Sequence, residues 1–92
     1  MDRYLAIHAP EPGMEEAEFR AALARMAEAG NALGLRIPET IYNLAAGRVF
    51  SLVEADNPIQ VRDAASQAGL HLVEVVPADV VYTELLSEPR RG

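Results

Sequence analysis

The chain has no cysteine and no lysine among its 92 residues. The first absence removes disulfides, thiolate metal sites and cysteine nucleophiles together. It also fits a cytoplasmic protein, which is the expected compartment. All eight basic residues are arginine, against fourteen acidic ones, for a formal net charge of −6. An acidic chain without a basic run has no electrostatic footprint for a phosphate backbone, so no nucleic-acid partner is expected. The one adjacent basic pair, Arg90-Arg91, sits in a short polar tail. No apolar run approaches the roughly 20 residues needed to span a bilayer, and no membrane partner is expected. The N-terminal stretch starts a strand at once and lacks a basic-then-apolar leader, which reads as no signal peptide.

What is present is ordinary for a folded domain: 50% apolar residues in a length that suits one domain. The reading places that domain at residues 1–86, followed by a flexible tail at 87–92. A chain this short buries only roughly 60–65% of its unfolded surface, so a lone copy is marginally stable.

The chain carries the same pattern twice. Arg3–Ala9 reads as a strand, Pro10-Glu11-Pro12-Gly13 as a loop, and residues 14–33 as a helix closed by Gly34. Two prolines end the strand because they cannot donate to a ladder. Phe19, Leu23, Met26, Gly30 and Leu33 recur at helical steps and form one stripe. Glu15, Glu16 and Glu18 crowd the helix start, where the dipole favours negative charge and solvent takes up the rest.

A second strand over 36–44 contains Pro38, which demotes it to a late start or a sheet edge. Ala45-Ala46-Gly47 turns into a third strand, Arg48–Ala55, as a hairpin. Asn57-Pro58 is a capping side chain followed by proline at the first helical position, so a second helix runs over 58–68. Val61, Ala64, Ala65 and Ala68 share its inner face, and Gly69 stops it. A fourth strand spans 72–76, with a short extension at 80–83.

The order β-α-β-β-α-β predicts a ferredoxin-like α+β sandwich, a four-stranded antiparallel sheet with both helices on one face. The other face then stands bare. Alternation separates Leu5 and Ile7 from Tyr4, Ala6 and His8, and we expect the latter three on the bare side. Either set from strand three leaves that side largely apolar. Bare apolar faces mark interfaces, so a homodimer packed through the open sheet face is expected.

With that phase, His8 is the leading site candidate, since imidazole ligates metals and moves protons near neutral pH. Strand one lies between strands three and four, so Glu54 and Glu74 could approach it and complete a divalent-cation site. The plainer alternative has His8 bonded at a dimer interface and Glu54 as a solvated strand end. Tyr42 is a candidate ligand-binding phenol, with Tyr82 of similar character; packing on the sheet with a wet hydroxyl is the alternative. His71 reads as an exposed loop residue. Ser51 and Thr40 have no serine–histidine–acid partnership, so no nucleophile is assigned. The glycines form no phosphate-cradling pattern.

Residues 49–58 (VFSLVEADNP) and 61–70 (VRDAASQAGL) resemble a family of small bacterial proteins of unassigned function, often described as nickel-binding. The resemblance extends to the Gly34-Leu35 step and the Ile41-Tyr42 region, over nearly the whole chain. It implies the same fold, dimerisation, and binding of a divalent metal such as nickel. Family members commonly carry a histidine just before the tyrosine of strand two and a cysteine in strand three. This chain has Thr40-Ile41 and Ser51 there, leaving His8 and the acidic residues as donors.

Three functions stay open at this point. The leading one is a small homodimeric, non-catalytic ligand- or metal-binding domain. The second is a dimeric α+β-barrel enzyme of the cofactor-independent oxygenase or isomerase type, with His8 as base. The third is an assembly module without a small-molecule site.

Overall fold

The structure, a computed structural model, describes residues 1–79. Its elements run β1 (Asp2–His8), α1 (Glu16–Leu33), β2 (Arg36–Asn43), β3 (Arg48–Ala55), α2 (Pro58–Ala68) and β4 (Leu72–Pro77). The strands form one antiparallel sheet in the order β2-β3-β1-β4, as expected for the ferredoxin-like sandwich. The 80–83 extension, Tyr82, the end of the domain at 86 and the 87–92 tail lie outside the described residues.

Local signals account for the boundaries. Asn57 caps α2, its side chain accepting from the backbone N–H of Gln60 at 3.1 Å, with Pro58 opening the helix. Gly34 and Gly69 close the two helices at φ +84° and +74°, the left-handed conformation that lets the chain reverse onto the last turn. Pro38 lies where the β2–β3 register slips, between Arg36 and Glu39, on an edge strand where a missing N–H is tolerated.

The helices run antiparallel across one side of the sheet and are tied at two points. Arg25 Nε donates to the Ala68 carbonyl at 3.3 Å, and Gln60 Nε2 donates to the Leu33 carbonyl at 2.9 Å. The inner helix faces are Phe19, Ala22, Met26 and Gly30 from α1, and Val61, Ala64, Ala65 and Ala68 from α2, all buried. They bury against Tyr4 and Ala6 of β1 and Val49, Val53 and Ala55 of β3, with Leu35 between. Each large member of this core contributes about 1.5–3 kcal/mol by leaving water.

The phase of β1 is the reverse of the sequence expectation. Tyr4, Ala6 and His8 lie under the helices, and Leu5 and Ile7 lie on the open side. The reason is fit. The small residues of the inner helix faces, Ala22 and Gly30 of α1 and Ala64, Ala65 and Ala68 of α2, settle closely onto a sheet whose facing residues include Ala6, Ser51 and Ala55, all 0% exposed. Leu5, Ile7, Phe50 and Leu52 in those places would hold the layers apart.

Candidate functional site

Two surfaces carry the functional candidates, one on each side of the sheet. On the helix side, the pairing brings His8, Val49 and Tyr42 into one row across β1, β3 and β2, with Leu72 of β4 beyond His8. Strand spacing puts His8 and Tyr42 about 10 Å apart, with Val49 between them. His8 is 2% exposed, and neither ring nitrogen has a hydrogen-bond partner among the described residues. Burial lowers its pKa from 6.5 to about 4, because the charged ring would lose its hydration with nothing to replace it. The ring is therefore neutral at pH 7 and presents one N–H donor and one bare nitrogen acceptor.

Tyr42 is half-buried. Its ring lies on Phe19 at a centroid separation of 4.7 Å, and its hydroxyl donates to Glu16 Oε1 at 2.8 Å. That hydrogen bond, followed by the Arg20 guanidinium one helical turn on, holds the Glu16 carboxyl below its ordinary range. One row further along, Thr40 and Ser51 share a hydrogen bond of 2.9 Å, which satisfies the buried Ser51 hydroxyl.

The open side is built in three rows. Ile41, Phe50, Ile7 and Glu74 form the first, Glu39, Leu52, Leu5 and Val76 the second, and Arg36, Glu54 and Arg3 the third. Six apolar side chains thus fill the centre of a face with carboxylates at two corners. Glu54 sits between two arginines, 3.6 Å from Arg36 and 3.9 Å from Arg3. Ile41 is 63% exposed, and the five other apolar members are partly exposed.

The residues proposed for a metal are therefore not brought together. Glu54 pairs with Arg3 and Glu74 with Ile7, so both carboxylates stand on the open side while His8 points the other way. No group of three or more His, Cys, Asp or Glu side chains that could hold a metal exists among the described residues. These residues do not fit the nickel site that the family resemblance implies. The alternative of His8 at a sheet-to-sheet interface falls with the same phase reversal. His71 is exposed in the α2–β4 connection, as expected.

Sequence reasoning missed the loop end of the molecule. A cavity of about 210 Å³ is lined by residues 9–11, 14 and 69–71. A shallower hollow of about 500 Å³ lies between residues 10–14 and the β2–β3 turn at 44–47. The signal was present in the Pro10-Glu11-Pro12-Gly13 loop and in the Gly69 stop after α2. Nothing in their sequence says that they meet, but the backbone N–H of Ala9 donates to the His71 carbonyl at 3.0 Å and joins them.

No family model and no curated protein matches the chain. Among solved structures, it is similar to the crystal structure of SCO4226 from Streptomyces coelicolor A3(2). The TM-score is 0.76 at 14% identity, over 87% of this chain and 99% of that one. At that identity the likeness shows the ferredoxin-like fold and nothing of the chemistry.

Proposed function

We propose that this protein acts as a homodimer closed sheet to sheet over its open face, and that each copy is a small non-catalytic ligand-binding domain. The apolar centre of the open face carries the reading: Leu5, Ile7, Ile41, Phe50, Leu52 and Val76 in adjoining rows. A contiguous apolar patch of this kind is costly in water and is normally covered. A second copy suits it because the rim carries both signs, Glu39 and Glu74 against Arg3 and Arg36, so one patch can complement itself across a two-fold axis. No helix among the described residues is long and apolar enough to cross a membrane. The cysteine-free composition supports a cytoplasmic setting.

His8 and Tyr42 are the ligand-binding candidates, now on the helix side of the sheet. The enzyme reading, with His8 as general base, has less support. A ring whose pKa is lowered to about 4 is a weak base at neutral pH, and no side chain among the described residues orients it.

Light scattering at micromolar concentration tests the pairing. The wild type should have the mass of two chains, and Phe50→Glu should have the mass of one while keeping its far-ultraviolet dichroism. A monomeric wild type would sink the proposal, and a dimeric Phe50→Glu would move the interface off this face.

A further inference from the structure

Three carboxylates stand on the open side of the described strands. Glu39 lies on β2 and Glu74 on β4, the two edge strands, where water reaches the rim of any covered face. Glu54 lies on β3, inside the sheet. Its side chain is 24% exposed and has two arginines beside it, Arg36 at 3.6 Å and Arg3 at 3.9 Å. At the other end of β3, Arg48 pairs with Asn43 and alternates with Phe50, which puts it on the open side as well. A layer laid over this face takes water from Glu54, and a carboxylate that loses its hydration needs cations close by.

We propose that Glu54 is the residue through which the open face recognises a second copy, by accepting an arginine of the partner across the two-fold axis. This rests on the sheet-to-sheet pairing above and deepens it. Packed sheets keep their strands within about 30° of each other. A two-fold axis that lays one open face on another then runs between the sheets, either along the strands or across them.

The strand register fixes what Glu54 meets in each case. With the axis along the strands, between β1 and β3, each β3 lies over the partner's β1 row for row. Phe50 meets the partner's Ile7, Leu52 meets the partner's Leu5, and Glu54 meets the partner's Arg3. Two Glu54 and two Arg3 then form a square whose signs alternate along every edge. With the axis across the strands, midway between the two apolar rows, each β3 lies over the partner's β3 end for end. Phe50 meets the partner's Leu52, and Glu54 meets the partner's Arg48. Both arrangements stack apolar on apolar, and both give Glu54 an arginine. A guanidinium has five donors, so an arginine can serve a carboxylate of its own chain and one of the partner. Charges placed this way select the partner and its register more than they add affinity, which suits a face that must accept its own copy and no other apolar sheet.

Glu54→Gln keeps the shape and removes the charge. It should dimerise about tenfold more weakly than wild type when light scattering is followed on dilution, with unchanged far-ultraviolet dichroism. Glu54→Arg sets like charges across either axis and should be a monomer at the micromolar concentration where wild type pairs. Native mass spectrometry of equimolar mixtures then identifies the partner residue. Glu54→Arg should form mixed dimers with Arg3→Glu where the axis runs along the strands, and with Arg48→Glu where it runs across. Only the mixed dimer has opposite charges at both contacts, and pairs within one chain cannot produce it. Wild-type affinity in Glu54→Gln overturns the inference, whether or not Glu54→Arg folds. Folded chains that give mixed dimers in neither mixture overturn it as well. A monomeric wild type sinks the pairing itself, whereas a dimeric wild type indifferent to position 54 sinks only this inference.

Discussion

His8 couples the stability of the fold to pH. The unfolded chain takes up a proton at the ordinary value of 6.5, whereas the folded ring stays neutral down to about 4. Between those values the unfolded state binds the extra proton, so stability falls as pH drops from 6.5 to 4 and is flat with respect to His8 above that window. The loss is on the order of 3 kcal/mol across the window. His8→Leu removes this contribution and also removes two polar atoms that have no partner among the described residues, so it should be at least as stable as wild type at pH 7. Urea denaturation of both proteins across that pH range checks this; parallel pH profiles would show that His8 is not the titrating group. The difference between the two proteins isolates the imidazole from every other group. Histidine at position 8 was legible in the sequence as the residue to watch. Its environment was not, because an alternating strand names two faces without saying which one is covered.

Among the elements, α1 depends on a glycine in its last turns. A Cβ at position 30 would stand 2.5 Å from Leu35 Cδ1 and 3.1 Å from Cγ. Leu35 is 2% exposed and packed into the core, so it has little room to retreat. Gly30→Ala gains about 1 kcal/mol of helix propensity and loses about 1–3 kcal/mol to overpacking. We expect net destabilisation of about 1 kcal/mol, measured by thermal unfolding. In a Leu35→Ala background the same substitution should stabilise instead, because the clash is gone and the propensity gain remains; a loss there as well would mean that Gly30 serves something other than this contact. The start of α2 shows how far local signals reach. Asn57 caps the backbone N–H of Gln60, Gln60 Oε1 accepts from Asp56 N–H at 2.8 Å, and Gln60 Nε2 donates to the Leu33 carbonyl of α1. The first of these was readable from Asn-Pro. The last joins residues that only the packed helices bring together.

For the whole molecule, the open face decides whether one copy is enough. A single sandwich of this length has little core to spare, and its second face leaves six apolar side chains to the solvent. If pairing covers them, unfolding and dissociation are linked, and the midpoint must depend on protein concentration. Each tenfold rise in concentration should add about 1.4 kcal/mol per dimer. Calorimetry should therefore show the wild-type midpoint climbing by a few degrees per decade, and the midpoint of Phe50→Glu staying fixed. A concentration-independent wild type would argue that the face is bare in solution.

The sequence by itself determined the element order, the strand β3 and the helix α2 to the residue, the caps and stops at Asn57, Gly34 and Gly69, and hence the sandwich. These depend on residues within a turn or two of one another, where glycine, proline and hydrophobic period act directly. Tertiary structure alone decided which face of β1 went under the helices. That choice is a sum over both layers: Ala6, Ser51 and Ala55 admit the small residues of both helices, and no single strand records it. The same choice put His8 on the opposite side of the sheet from Glu54 and Glu74 and left its ring buried without a hydrogen-bond partner among the described residues.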